Sequence, residues 1–475
     1  MGIVADRRGR HAGSEEHAGS ERHSESREVS LLRSTAQEAG KEVQETGEVR
    51  PSNFTTPERP TWELYSTCIH CGLCLQQCPT YRVLGLEADS PRGRIYQVLQ
   101  VDAGQLPIGD SFVRHIDRCL GCLACQTACP SGVHYGRIVE RARAEIVQNF
   151  RRPWLQRTVR QYAYSAMLTR YDVLKRWAKM LRAYQRSGLQ RLVRSSGLLH
   201  LLGLARVEAL APRMDEKFFL DDLGAVFPAH GEERARVALL AGCIASVAFS
   251  ELNRATVRTL TENGVRVVVP PDQGCCGALH AHAGYRDEAR ALARRNIEGM
   301  LDGSLDAIVS NAAGCGAMLK EYGELLEGDP RYGPKAKQLA AKVRDVTEFL
   351  AELGIRPVRK RLEKKVTYQD PCHLAHAQKI RSAPRQLLEA MGAEVVEMPH
   401  SDYCCGSAGT YNIVENELSM RILEAKMEDI RQTDAEIIAT ANVGCMLQLR
   451  AGVEACGMKR RVAHVVELLD EAYQR

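Results

Sequence analysis

The sequence predicts a multidomain chain of α plus α/β class. A helical N-terminal domain built on two four-cysteine motifs is followed by a duplicated α/β cysteine-rich domain with parallel sheets. Three observations predict it. Sixteen of the 17 cysteines fall in tight, recurring spacings. The C-terminal half contains one pattern written twice. Each copy alternates β-rich runs that end at a cysteine with helical stretches, and parallel strands need such crossover helices.

The bulk properties bound the rest. A chain of 475 residues is expected to hold more than one domain, and 44% hydrophobic residues suffice for ordinary cores. A net charge of only +5 leaves no basic field that would point to nucleic acid. The first forty residues lack an apolar stretch, and no run of about 18 apolar residues occurs anywhere, so neither a secretory signal nor a spanning helix is expected. The expected location is cytoplasmic. Thiols stay reduced there, and tightly spaced cysteines then read as metal ligands or redox centres rather than a disulfide frame.

Residues 1–55 are polar and biased (HAGSEEHAGSERHSES) and are expected to be a disordered extension, since they bury too little to offset chain entropy. A transit peptide is the alternative, and its usual lack of acids counts against it here.

Residues 56–150 carry the first dense region. It reads Cys68-x2-Cys71-x2-Cys74-x3-Cys78-Pro79, then Cys119-x2-Cys122-x2-Cys125-x3-Cys129-Pro130. Three closely spaced thiolates wrap one corner of an iron–sulfur cube, and in two-cluster ferredoxins the fourth cysteine serves the other cluster. Cys68, Cys71, Cys74 and Cys129 are therefore expected to hold one [4Fe–4S] cluster, and Cys119, Cys122, Cys125 and Cys78 the second. Zinc is the competing reading, but zinc sites use two cysteine pairs rather than two interleaved quartets. A cube held by four cysteines has no open iron for substrate, so the pair reads as a conductor of single electrons. Arg92 and Arg94, between the motifs, either offset cluster charge or form surface ion pairs. His70 and His134 are read as loop residues.

Residues 151–232 form a basic helical connector. Residues 151–194 contain twelve Lys or Arg and one acid, Asp172. Met167, Tyr171, Leu174, Trp177, Leu181 and Tyr184 recur at helical spacing, with Lys175, Lys179, Arg182 and Arg186 as a second stripe, which predicts an amphipathic basic helix. It could pack on its own domains, dock a partner subunit, or rest peripherally on the inner face of a membrane.

Residues 233–356 and 357–475 are the two copies. RVALLAGC ends at Cys243 and KVTYQDPC at Cys372. GVRVVVPPDQGCCG answers GAEVVEMPHSDYCCG, and LDAIVSNAAGCG answers AEIIATANVGCM. Cys243 to Cys275 and Cys372 to Cys404 each enclose 31 residues, and Cys276 to Cys315 encloses 38 against 39 for Cys405 to Cys445. Loops after parallel strands share one sheet edge, so Cys243, Cys275, Cys276 and Cys315 are expected to converge, as are Cys372, Cys404, Cys405 and Cys445. Each set could hold an iron–sulfur cluster or a zinc ion, or be a relic that binds nothing. Gly277 and Gly406 let the backbone pass close beside the paired cysteines.

These repeats resemble the cysteine-rich CCG domain, a family that includes parts of heterodisulfide reductase and of anaerobic glycerol-3-phosphate dehydrogenase, together with lactate-utilisation proteins. Many members add a fifth cysteine. Met318 and Gln448 stand at that position here. A closer resemblance, carried by CIHCGLCLQQCPTYRVLG, SPRGRIYQV, RCLGCLACQTACPSGVHYG, GCGAMLKEYGELL, CHLAHAQKI and CCGSAGTYN, is to the glycolate oxidase iron–sulfur subunit, which also lacks the fifth cysteine in both repeats. It implies a complex with FAD-binding subunits that oxidise glycolate to glyoxylate, and often D-lactate, with electrons passing to a quinone or another carrier. No G-x-G-x-x-G follows a strand, so no flavin is expected on this chain, and alone it should not oxidise a hydroxy acid.

Cys456 reads as an ordinary buried thiol, His373 and His376 as packing residues, and Tyr403 and Tyr411 as core residues beside the second CCG site. The alternative function is an iron–sulfur subunit of a heterodisulfide-reductase-like or anaerobic glycerol-3-phosphate dehydrogenase complex. A redox or metal sensor is the third reading, and no DNA-binding pattern supports it.

Overall fold

The computed structural model describes residues 52–474 apart from 202–207 and 209–210. The expected disordered extension therefore falls almost wholly outside the described residues. Its last four residues are folded onto the N-terminal domain. Phe54 is buried and tilted against Phe112, with ring centroids 6.3 Å apart. The backbone N–H groups of Thr55 and Thr56 donate to the Glu145 carboxylate, each at 2.9 Å. Phe54 supplies the apolar surface that lets residues 52–55 pack, against the expectation of disorder for them.

The N-terminal domain is helical. Its main helices are Pro79–Leu84, Pro91–Asp102, Asp110–Asp117 and Tyr135–Asn149. Two begin with proline at the first helical position, where its missing N–H is harmless and its fixed φ suits the helix. The core is formed by Ile95, Val98, Val101, Phe112, Ile116, Ile138 and Ile146.

The connector is not one helix. It runs Trp154–Tyr162, a π-turn Ala163–Met167, Tyr171–Arg186 and Leu189–Ser195. Thr169 breaks the run by donating its hydroxyl to Tyr164 O at 2.6 Å, and Gly188 at φ +79° ends the long helix. Tyr171 and Leu174 of the apolar stripe pack into the first repeat. The basic stripe is largely engaged by the same chain: Lys175 pairs with Asp221, Arg186 with Glu216, and Arg182 donates to Asp215 O and lies over the Phe218 ring.

Nine strands build two sheets among the described residues. The first contains β1 (Val226–Phe227), β2 (Ala235–Leu239), β3 (Val265–Val268), β4 (Ala307–Ser310) and β5 (Val343–Asp345) in the order β1-β3-β2-β4-β5. The second contains β6 (Lys365–Tyr368), β7 (Glu394–Val395), β8 (Ile437–Thr440) and β9 (Arg461–His464) in the order β7-β6-β8-β9. Without β1 the two orders are the same, and those pairings are all parallel. β1 departs from the expectation of purely parallel sheets. It is an antiparallel edge strand that reaches back into the predicted connector, and two residues are too short to show a period in sequence.

The repeats pack reciprocally. Helix Ser250–Glu262 of the first lies against the last helix of the second, Val465–Tyr473, while helix Ser382–Ala390 of the second lies against Val346–Leu353 of the first. One apolar cluster runs through both. Arg258 closes the seam on Asp470 at 2.7 Å, and His464 Nε2 meets Asn311 O at 3.1 Å.

Candidate cysteine centres

The two N-terminal loops have the same backbone. Positive φ occurs at His70 and Gly121, the residue before the second cysteine of each motif, and at Gly72 and Leu123, the residue after it. Each loop thus makes two left-handed bends that turn its three cysteines to one side. Each motif has glycine at only one of the two bends, so His70 and Leu123 carry strain of about 1–2 kcal/mol apiece.

Cys68, Cys71, Cys74 and Cys129 line one cavity, with Arg92 and Pro130 on its wall and Cys125 at its inner side. Cys78, Cys119, Cys122 and Cys125 line a second, with Arg94 and Tyr135. No disulfide joins any of these cysteines. The linings bring Cys129 to the first motif's three cysteines and Cys78 to the second's, with Cys125 lining both, and four thiols at each suit the chemistry of a [4Fe–4S] cube. Among the described residues, no three His, Cys, Asp or Glu side chains close to the spacing of a single metal ion.

The two cavities differ electrostatically. The first is nearer solvent: Cys71 is exposed, flanked by Ile69 and Leu73 at 47% and 60% exposure. Burial pushes Cys74 up to about 12. The second is enclosed, and Arg94 lies beneath it at 1% exposure. Arg94 Nη1 is 4.0 Å from Cys78 Sγ and 3.2 Å from Thr80 Oγ1, while Nη2 meets Asp89 at 3.4 Å. Burial drives Cys119 up, but Arg94 and Arg143 outweigh it and hold this thiol below its ordinary value, helped by N–H and O–H donors from Gly121 and Tyr135 at 3.4 and 3.6 Å. Arg94 is thus a buried counter-charge. Arg92 is an outer residue that donates to His70 O and Glu87.

In each repeat the cysteines gather at the C-terminal edge of the sheet, following β2, β3 and β4 or β6, β7 and β8. In the first, Cys275 Sγ is 3.6 Å from Cys243 Sγ, and Cys276 Sγ is 3.2 Å from Cys315 Sγ. Contact with Cys275, then burial, pushes Cys243 well above its ordinary value. In the second, contacts link Cys372, Cys404, Cys405 and Cys445 in series. Hydrogen bonding from Cys404, then the His373 ring, holds Cys372 well below its ordinary value. Gly406 has φ +90°, and a Cβ there would sit 2.5 Å from Ser419 O. Met318 and Gln448 are buried, and Gln448 is tied to Asn412 and Ser419.

Other residues singled out in the sequence take definite places. His376 bridges domains through Thr127 Oγ1 at 3.1 Å, Tyr403 is covered by Arg82 at 4.1 Å, and Tyr411 packs with Leu120, Cys122 and Cys404. Cys456 is half-buried against the common core. His134 lines a cavity of about 130 Å³ between the domains with Glu140, His282, Glu321 and His373. Lys426 is a residue that reading along the chain does not single out. It is a lysine at a core-facing helical position beside Leu423 and Met427, and that placement is the one signal of it in the sequence.

Comparison with known proteins agrees with this layout. A 4Fe-4S dicluster domain model matches residues 65–133, a cysteine-rich domain model matches 237–320 and 366–450, and a model of the linker region of the glycolate oxidase iron–sulfur subunit matches 155–211. The chain is 41% identical over 413 residues to a probable glycolate oxidase iron–sulfur subunit of Bacillus subtilis, covering 85% of this chain and 93% of that one. The chain belongs to the glycolate oxidase iron–sulfur subunit family. The Escherichia coli glycolate oxidase iron–sulfur subunit is 32% identical over 86% of this chain and 94% of its own. Lactate utilization protein A of Geobacillus kaustophilus is 32% identical over 50% of this chain and 98% of its own length. No helix among the described residues is long and apolar enough to cross a membrane.

Proposed function

We propose that this chain is the electron-transfer subunit of a flavin-dependent complex that oxidises glycolate to glyoxylate, and also D-lactate. The observation that carries this reading is the interlocking of the cysteines: Cys129 completes the cavity of Cys68, Cys71 and Cys74, and Cys78 that of Cys119, Cys122 and Cys125. Bound there, two [4Fe–4S] clusters supply reversible one-electron chemistry. The chain's residues do the remainder. Arg94 and Arg143 neutralise thiolate charge at the inner quartet, and burial of Cys119, Cys122 and Cys125 excludes water from it. Cys71, Ile69 and Leu73 present the outer quartet to a partner, so a FAD-binding subunit docks on this edge. Four cysteines per cube leave no open coordination site, and the hydroxy acid is oxidised on the flavin subunit. A buried Gln448 in place of a fifth cysteine argues against the heterodisulfide-reductase-like alternative.

The acceptor in this reading is a quinone or another carrier, and a quinone would be reached from the cytoplasmic face. Trp154, at 76% exposure, with exposed Leu155 and Val159, forms the apolar ridge that would touch the membrane. Flotation with anionic liposomes tests that contact, and no salt-sensitive binding would refute it. Anaerobic co-purification from the native host tests the function. Two flavoproteins and glycolate-dependent dye reduction are expected, and a glycerol-3-phosphate flavoprotein instead would overturn the reading.

A further inference from the structure

The duplication allows the two C-terminal cysteine sets to be compared position by position on one scaffold. Residues 244 and 373 each follow the first cysteine. Residues 312 and 442 are each the N-cap of the helix that carries the last cysteine. Residues 296 and 426 occupy the same turn of helices Arg286–Met300 and Asn416–Arg431, both facing the CCG loop. The first repeat has Ile244, Ala312 and Asn296. The second has His373, Asn442 and Lys426.

All three changes put hydrogen-bond donors or positive charge around the second set of sulfurs. His373 Nδ1 lies 3.5 Å from Cys372 Sγ. Asn442 Nδ2 donates to Cys445 Sγ at 3.4 Å. Lys426 is buried at 2% exposure, with Nζ donating to His400 O at 2.6 Å and Ser401 O at 3.4 Å, in the loop that leads into Cys404. In the first repeat Ile244 and Ala312 have no side-chain N–H. Asn296 spends its amide on Gly274 N, Cys275 O and the Tyr322 hydroxyl, none of them sulfur. The sulfurs of the first set contact one another as those of the second do, and take backbone N–H donors from Ile244 and Gly277, but among the described residues no side-chain N–H reaches them in their apolar surround, which includes Tyr171, Val247 and Met318.

A thiolate-bound cluster carries negative charge, and N–H donors and buried cations around the ligands are what stabilise it. Apolar burial without them favours the neutral thiol. The second set is also the one beside the inner quartet. Cys404 shares an apolar cluster with Leu120, Cys122 and Tyr411, and Cys372 packs on its edge. The first set instead packs against the connector through Tyr171 and Leu174.

We propose that the two copies have diverged. Cys372, Cys404, Cys405 and Cys445 hold an iron–sulfur centre beside the inner quartet, while Cys243, Cys275, Cys276 and Cys315 hold no iron. This rests on the reading of the N-terminal quartets as two cubes, which by themselves account for about eight iron atoms.

The test is iron and sulfide per polypeptide, with electron paramagnetic resonance, on the full chain made anaerobically. Wild type is expected to exceed about eight iron atoms. The variant His373→Ile, Asn442→Ala, Lys426→Asn writes the first repeat's residues into the second without touching a cysteine, and it should lose the excess iron and one paramagnetic species. Cys275→Ser with Cys276→Ser should lose neither. Where the triple variant does not fold, His373→Ile alone should shift that species to a more negative potential. Wild type without excess iron, a triple variant that keeps it, an unshifted potential, or iron loss on changing Cys275 and Cys276 would each overturn the proposal. Failure of the N-terminal reading is distinguishable, because it lowers the shared baseline in every variant alike.

Discussion

Arg94 provides the sharpest test of the inner quartet. Its guanidinium is buried 4.0 Å from Cys78 Sγ, so Arg94→Met removes a full positive charge from beside a site that gains an electron on reduction. At an effective dielectric of about 20, unit charges about 4 Å apart interact by about 4 kcal/mol, and by about 2 kcal/mol at twice that distance. The cluster's charge is spread over several atoms, so these figures bracket the effect. At about 59 mV per tenfold change for one electron, the range is roughly 90–180 mV. The inner centre's potential should fall by that amount and the outer centre's should stay nearly fixed. Asp89 keeps His115 and Arg118 as partners at 3.0 and 3.2 Å, so the variant retains much of the local ion network. A redox titration followed by electron paramagnetic resonance measures both centres in one sample, and Arg94→Lys should restore most of the shift. A fall below roughly 30 mV, or equal shifts at both centres, would refute the electrostatic role on the same scale.

Four further outcomes follow from the geometry. Cys129→Ala should abolish the centre that does not respond to Arg94→Met, and Cys78→Ala the one that does; the opposite pairing, read from the same spectra, would undo the interlocked assignment. Gly406→Ala should cost about 2–5 kcal/mol, from its φ of +90° and the 2.5 Å approach to Ser419 O, against about 1–2 kcal/mol for Gly277→Ala, whose nearest contact is 3.4 Å; thermal melts giving equal losses would contradict this. Burial lowers His464 to about 4, so the unfolded chain takes up its proton first, and this residue's contribution is complete above about pH 6.5 and falls by about 3 kcal/mol as pH drops toward 4. Asp345, at the matching position of the other repeat, is raised by burial to about 6 and acts in the opposite sense; His464→Asn should therefore leave a protein whose melting temperature declines from about pH 4 to 6, and an unchanged profile would count against it. Ile69→Asp with Leu73→Asp should sharply reduce recovery of the flavin subunits in pull-downs while leaving iron content intact, and undiminished recovery would move the docking edge elsewhere.

The order of strands and helices is legible in the sequence because it follows from local pattern. A β-rich run, a cysteine, a helix and a second run specify a parallel unit wherever they occur, and the same pattern written twice specifies two. β1 is invisible there because two residues show no period, and the fourth strand of each repeat, β5 and β9, goes unread because no cysteine follows it to mark the run. The connector reads as one helix because the Thr169 hydroxyl bond and the Gly188 bend do not alter hydrophobic spacing. Residues 52–55 read as disordered on composition, which cannot register that a single phenylalanine, Phe54, finds a core.

The sequence by itself determined which atoms are available for the chemistry. Three cysteines within seven residues must share a loop, and loops that follow parallel strands must share an edge, because covalent geometry reaches that far and no further. Tertiary structure alone decided the surroundings: Arg94 beneath Cys78, Lys426 under the second CCG loop, and the second repeat against the inner quartet. Such contacts join residues far apart along the chain, and their burial makes each charge count for more than it would in water. Spacing along the chain carries no record of either.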